Sequence, residues 1–405
     1  METLHKRVAG IDVHRMKHVV TVLLEDDCGQ PIKHQREFGG FKRDLKALAA
    51  WLRESGVELA ILESTGIYWK SLYAHLEMTG VPAWVVNAHH VKHVPGRKTD
   101  VGDSEWLAQL GRYGLVRGSF IPPQDLRELR LVSRYRKKLV AMLAAEKNRL
   151  HKLLDDAGIK LGGLVADING KAATAIVDGL IDGQVPTELI KLTGRLRAPK
   201  EALLASLDGD LSPRHIMLLT ELRSHIRDLE ARRAKLDTYL IDAMAPYAWA
   251  FQLLQTIPGI DAIAAATILI EIGDDMTRFA SAERLASWSA LCPGNNESAG
   301  KRKTGKTRKG NTLLRTLLCE AANAARSTLS VFKAKYQGLV VRRGHKKAIV
   351  ALAHKLIRTI YFMLTRREAY HDSGIDYAAA NVAKNAPRWL RALKRYGYWP
   401  KAAAI

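Results

Sequence analysis

Four carboxylates early in the chain have types and spacing that could do chemistry. Asp12 stands near the end of a short β-branched run, flanked by Gly10, Ile11 and Val13, where a core strand would normally carry a neutral residue. Glu63 holds the matching place after Leu59-Ala60-Ile61-Leu62. Asp100 and Asp103 lie three apart, where Gly96-Arg97-Lys98-Thr99 gives way to a helix through Trp106, Leu107 and Leu110. That spacing puts both on one helical face. Carboxylates gathered at neighbouring strand ends repel one another unless a cation joins them. Oxygen-only ligation suits Mg²⁺ or Mn²⁺, which keep water and substrate phosphates in their remaining positions and neutralise charge on a phosphodiester. Either aspartate taken alone could instead cap a helix.

A second group lies far downstream. The loop from Asn295 to Gly310 carries six cations, Lys301, Arg302, Lys303, Lys306, Arg308 and Lys309, against the single acid Glu297. Such a loop suits phosphate backbones, and its binding is counterion-driven and salt-sensitive. Ser298 is its only serine. On chemistry alone it is either an inert loop residue or a nucleophile whose developing phosphorane charge is held by Lys301, Arg302 and Lys303. Ser289, in the apolar Leu285 to Leu291 segment, is a poor candidate. Upstream, Leu253 to Ile260 followed by Asp261 and an Ala/Ile-rich helix has the form of a helix-hairpin-helix element, in which Gly259 would let backbone N–H groups approach a phosphate. Arg134, Arg136, Lys137 and Lys138, on a long basic helix, are further candidates for nucleic-acid contact.

The elements that must position these groups follow from pattern. Residues 8 to about 120 read as mixed α/β: a hairpin of Val8–Val13 and His18–Leu24, then buried strands at Leu59–Leu62 and Val81–Val86 separated by a helix at Ser71–Met78. Pro122-Pro123 ends this region. Beyond it, Leu129, Val132, Leu139, Leu143, Leu150 and Leu153 keep mostly to heptad spacings, as do Leu219, Leu222, Ile226, Leu229, Leu236 and Leu240, with Arg233 in one core slot. Two such helices pair antiparallel, dimerise as a coiled coil, or belong to one bundle. Residues 158–212 carry many glycines and no assignable pattern. Four regions result: 1–122 mixed sheet, 123–245 helical linker and oligomerisation region, 246–370 mostly helical, and a basic aromatic tail over 371–405.

Composition narrows the function classes. The 405 residues, 47% hydrophobic and 26% charged, exclude a small stapled scaffold and wholesale disorder. Lys plus Arg number 63 against 41 acids, a net charge of +22 that favours a polyanionic partner. The cysteines Cys28, Cys292 and Cys319 form neither a disulfide framework nor a zinc motif. The N-terminal residues lack the apolar core of a signal peptide, and the longest membrane candidate, Ala262 to Ile270, spans only nine residues. A cytoplasmic protein without membrane association is expected.

A strand Asp, a strand-end Glu and a late helical Asp pair, in that order, form the layout of ribonuclease-H-like nucleases. More specifically, Gly10-Ile11-Asp12-Val13-His14, Glu63-Ser64-Thr65-Gly66 and Lys98-Thr99-Asp100-Val101-Gly102-Asp103 resemble the N-terminal domain of the DEDD-type insertion-sequence transposases of family one-ten, the bridge-RNA-guided recombinases. Ile257-Pro258-Gly259-Ile260, Glu271-Ile272-Gly273-Asp274, Arg278-Phe279, Leu291-Cys292-Pro293-Gly294, Ser298-Ala299-Gly300, Lys309-Gly310-Asn311 and Leu314-Arg315 resemble that family's second domain. The resemblance spans about residues 8–115 and 250–330. It implies a RuvC-like, ribonuclease-H-type sheet in which Asp12, Glu63, Asp100 and Asp103 bind divalent metal, and a second domain in which Ser298 attacks DNA and becomes linked to phosphate. It also implies donor and target DNA as substrates, a structured guide RNA as partner, and a dimer or tetramer that shares active sites between subunits. Family members often carry Ser-Gly or Ser-Ser-Gly at the nucleophile, whereas here Ala299 separates Ser298 from Gly300. Two rival readings remain at this point: a metal-dependent nuclease or junction resolvase using water, and a non-catalytic nucleic-acid-binding protein.

Overall fold

The computed structural model describes residues 3–398 apart from 27, 64–65, 89–90, 92–93, 95–101, 195, 295, 299, 306, 308–309, 373 and 375–376. The chain divides into two compact units, Met1–Gln124 and Asp125–Ile405.

The first unit is built on a five-stranded mixed sheet of β1 (Arg7–Val13), β2 (Lys17–Glu25), β3 (Pro31–Gly39), β4 (Leu59–Glu63) and β5 (Ala83–Val86), in the order β3-β2-β1-β4-β5. β1, β2 and β3 pair antiparallel; β4 runs parallel to both β1 and β5. This is the expected ribonuclease-H-type arrangement. β1 and β4 are apolar almost throughout because both their faces are covered. On one face α1 (Lys42–Glu54) and α2 (Trp69–Thr79) bury Leu45, Leu48, Leu52, Leu72 and Leu76 against Ala9, Ile11, Ala60 and Leu62. On the other, α3 (Asp103–Arg112) buries Trp106, Leu107 and Leu110 against Val8, Leu59 and Ile61. β3 has no counterpart in the pattern reading, for a physical reason. It is an edge strand, exposed over most of its length and joined to β2 by polar pairs such as Lys17–Glu37 at 2.6 Å, so it shows no apolar alternation.

Gly10 sets how closely α3 approaches the sheet. A Cβ at this position would lie 1.9 Å from the Ser104 carbonyl oxygen and 2.4 Å from the Ala108 nitrogen. Both are backbone atoms that cannot step aside. The same contact is sealed by the Thr21 and Ser104 hydroxyls, 2.8 Å apart and buried. Gly10→Ala is therefore expected to cost about 3 kcal/mol of stability, read as a lowered denaturant midpoint of the full-length protein.

The second unit opens with α4 (Gln124–Asp156), followed by the short helices α5 (Lys171–Ile181), α6 (Pro186–Leu189) and α7 (Lys200–Ser206), and then α8 (Pro213–Asp242). The ion pairs fix how the two long helices meet. Asp156 contacts His215 at 3.0 Å, Glu146 contacts His225 at 3.4 Å, Lys147 contacts Glu230 at 3.5 Å, and Arg136 pairs with Asp237. From Asp156–His215 at one end to Arg136–Asp237 at the other, numbers fall along one helix as they rise along its partner, so α4 and α8 form an antiparallel hairpin within one chain. The unassigned stretch 158–212 caps it. Ile168, Ile176, Val177, Leu189 and Leu203 join one core with Leu150, Leu154 and Leu219.

The rest is α9 (Ala248–Gln255), α10 (Ala262–Ile272), α11 (Ala282–Trp288), a β6–β7 hairpin (Asn296–Ser298 and Lys301–Thr304), α12 (Thr312–Ala325), α13 (Val331–Arg366) and α14 (Tyr377–Arg395). α13 corrects the membrane estimate. By length and composition it could cross a bilayer, which the nine-residue run at 262–270 could not. It is, however, broken at Gly344, where φ is 71° and ψ is 166°, and half of its most apolar stretch is buried inside the protein. In a straight helix Phe332 and Lys355 would stand about 35 Å apart. Here the Lys355 ammonium lies 5.7 Å from the Phe332 ring, so the two arms fold back on each other.

Candidate active site and nucleic-acid surface

The sheet register brings two of the four carboxylates together. Ile11 pairs with Leu62 across parallel β1 and β4, and Asp12 and Glu63 stand one step further on the two strands. Side chains alternate along a strand, and Val8 and Ile61 face the core under α3. Asp12 and Glu63 share that parity, so both belong to the α3 face, at the carboxyl ends of the two central strands. Asp103 opens α3, whose first turn lies over Gly10, two residues before Asp12. Three of the predicted acids are thus placed at one end of one face. Asp100 lies outside the described residues.

His14 adds a member that the sequence motif contained without a role. Its Nε2 donates to Asp12 Oδ2 at 3.0 Å, while its backbone N–H donates to the Lys17 carbonyl and closes the β1–β2 turn. Nearby His18 is buried, and burial lowers its pKa, with His14 adding to the shift and Asp12 opposing it. Among the described residues no three acid, histidine or cysteine groups stand close enough to hold a metal ion. The donor chemistry of Asp12, Glu63 and Asp103, carboxylates on a partly open face, fits a hard divalent cation rather than a soft one.

In the second unit Ser298 ends β6 and pairs with Lys301 at the start of β7, and Gly300, just before β7, has φ 72°. The basic segment is therefore not a featureless loop. A further bridge between Pro293 and Thr307 extends the hairpin. For Ser298 and Lys301, Arg302 and Lys303 the structure describes the backbone; Lys306, Arg308 and Lys309 lie outside the described residues. Ser289 is buried and donates to the Leu285 carbonyl at 2.8 Å.

A buried network anchors the segment that follows this hairpin. Glu271, at the end of α10, is fully buried. Its Oε2 accepts from Asn311 Nδ2 at 2.6 Å and lies 3.2 Å from Arg130 Nε, while Arg134 approaches its other oxygen at 3.6 Å. Asn311 in turn caps α12 by accepting from the Leu314 N–H at 3.1 Å. Arg130 also donates to the carbonyls of Ile270 and Glu271. Burial pulls its pKa down to about 10, against the pull of Glu271. The network ties the start of α12, directly after the basic segment, to α10 and α4. Glu271 and Asn311 belong to the strings that carried the family resemblance; their partnership becomes visible only in three dimensions.

The other predicted contacts have structural partners. Arg134 faces Glu271, Arg136 pairs with Asp237 and Lys137 with Glu320 at 3.5 Å, whereas Lys138 is exposed. Gly259 forms the turn between α9 and α10 at φ 88°, and a Cβ there would lie 2.5 Å from the Ala321 carbonyl. Close approach of α12 is thus sufficient reason for a glycine at that position.

Comparison with known proteins agrees in both units. The IS110-type DEDD transposase model matches residues 9–159, and the model of the transposase IS116/IS110/IS902 family matches residues 251–337. A "Probable family 20 transposase" of Pseudomonas aeruginosa is 28% identical over 283 residues, 69% of this chain and 75% of that protein. The transposase for insertion sequence element IS1111A of Coxiella burnetii is 26% identical over 303 residues, 72% and 73% of the two chains. The Thermus thermophilus RuvC structure aligns with 28% of this chain and 99% of that one, at 14% identity and a TM-score of 0.22. The chain belongs to the IS110/IS116/IS902 family of DEDD transposases.

Proposed function

We propose that this transposase cuts and rejoins DNA through a covalent link between Ser298 and a DNA phosphate, with Mg²⁺ or Mn²⁺ held by Asp12, Glu63, Asp100 and Asp103. The observation that supports it most is the register that sets Asp12 beside Glu63 on the face where Asp103 opens α3. A bound divalent cation would supply charge neutralisation on the scissile phosphate. Every other contribution comes from the chain itself. His14 orients the Asp12 carboxylate through the 3.0 Å hydrogen bond. Lys301, Arg302 and Lys303, in the strand paired with that of the serine, provide positive charge for the phosphate oxygens.

Attack by the serine hydroxyl oxygen forms one P–O bond as the bond to a DNA sugar oxygen breaks, and the freed DNA end leaves as a hydroxyl. The number of phosphoester bonds is unchanged, so a second DNA hydroxyl can reverse the exchange without an external energy source. In this reading the acidic face of one subunit serves the serine of another within a dimer or tetramer, and a structured bridge RNA pairs with donor and target DNA.

The test is a denaturing gel of purified protein incubated with Mg²⁺, its co-purifying RNA and labelled DNA. A labelled band that survives denaturation and migrates with the protein supports the reading. Cut DNA with no such band favours a nuclease that uses water.

A further inference from the structure

We propose that the fold-back tip of α13, built by Arg342, Arg343, Lys346 and Lys347 around Gly344, docks on the phosphate backbone of duplex DNA as a contact separate from the basic segment at 295–310. Gly344 breaks the helix, and three further contacts hold the arms together. Lys355 lies over the Phe332 ring, Tyr336 hydrogen-bonds His345 Nδ1 at 2.9 Å, and the two rings of that pair meet edge to face at 6.0 Å. The turn is thereby pinned, and it projects a compact tip in which residues 341–347 are all exposed.

The tip is also strongly cationic. Between Glu320 and Glu368 the chain has no acidic residue. Four permanent cations crowd the tip, and among the described residues none of the four has an acidic partner within ion-pair distance. Like charges held this close oppose folding unless an external polyanion offsets them. The arm beginning at His345 also presents its first-turn N–H groups at the same place.

The chemistry of this surface selects the partner. Single-stranded nucleic acid is gripped by aromatic stacking platforms and looped RNA by splayed bases, and the tip offers neither. Its most exposed apolar side chain is Val341, at 89%, and Tyr336 is engaged with His345. Point charges on a rigid projection suit the dense phosphate rows of a B-form duplex. The proposal rests on the membership of a transposase family and not on Ser298 chemistry.

The test uses full-length protein carrying Arg342→Gln, Arg343→Gln, Lys346→Gln and Lys347→Gln together, a set that removes the four charges while keeping polar side chains of similar helix propensity. Binding to a labelled DNA duplex and to a hairpin RNA of equal charge is measured across a salt series. The expected result is a plot of log affinity against log salt that is shallower by about three to four for DNA, with binding at low salt weakened at least about tenfold. A second variant, Gly344→Ala, changes no charge. Its Cβ meets no neighbour, but its backbone conformation is one that only glycine adopts readily, so the tip is misdirected and DNA binding should weaken at unchanged net charge. An unchanged DNA slope in the quadruple variant, or a loss confined to the RNA, overturns the proposal. Because binding is read without cleavage, a wild-type protein that forms no covalent adduct but shows the slope change would sink the serine reading and leave this one standing. Adduct formation with an unchanged slope would do the reverse.

Discussion

Replacing Ser298 by alanine is expected to abolish the covalent protein–DNA species and to lower strand exchange by at least about 10⁴-fold, while duplex binding stays near wild type. Removal of a nucleophile that no neighbour can replace costs catalysis on that scale. The basic segment from Asn295 to Gly310 holds no second serine. Ser289 is buried with its hydroxyl committed to the Leu285 carbonyl. The retained binding matters equally, because the cations of the hairpin and of the α13 tip are untouched. If alanine at this position left cleavage intact, water would be the attacking group and the protein a metal-dependent nuclease.

Asp12→Asn is expected to lower cleavage by about 10³-fold, equivalent to roughly 4 kcal/mol of transition-state stabilisation. The change removes a negative charge and almost nothing else. An asparagine oxygen can still accept from His14 Nε2, and β1 keeps its register with β2 and β4. Relief of repulsion with Glu63 should leave folding stability unchanged or slightly raised, so a loss of activity would not be a loss of fold. The pair of measurements, cleavage rate and denaturant midpoint, separates the two. A variant that cleaves at the wild-type rate would reduce Asp12 to a structural residue.

Much of the first unit was legible in the residues themselves. β1, β2, β4 and β5, and the helix opening at Asp103, carry apolar periods that name both element and face, and Asp12 stands out because it interrupts one of them. β3 was not legible, since an exposed edge strand is specified by backbone pairing and polar cross-strand contacts, which leave no periodic trace. In the second unit heptad spacing identified the two long helices but not their partner. The antiparallel choice is made by ion pairs such as Lys147–Glu230, whose members lie far apart in sequence.

The same limit hid the Glu271–Asn311–Arg130 network and the fold-back of α13. A glycine in a long helix reads as a small local cost, and only the contact of Phe332 with Lys355 shows that the chain reverses there. Gly259 illustrates the converse. The sequence suggests a phosphate-binding turn, while the structure shows a helix, α12, packed against the position a Cβ would occupy. The β6–β7 hairpin lay hidden for another reason. Its strands are three and four residues long and rich in Lys, Arg and Asn, so composition alone reads as loop.

The most direct measurement is mass spectrometry of the protein–DNA species after nuclease trimming and proteolysis. The expected result is a residual nucleotide mass on the peptide containing Ser298, absent when Asp12 is asparagine. A nucleotide on a peptide lacking Ser298, or DNA cleaved with every peptide unmodified, would contradict a serine-linked exchange.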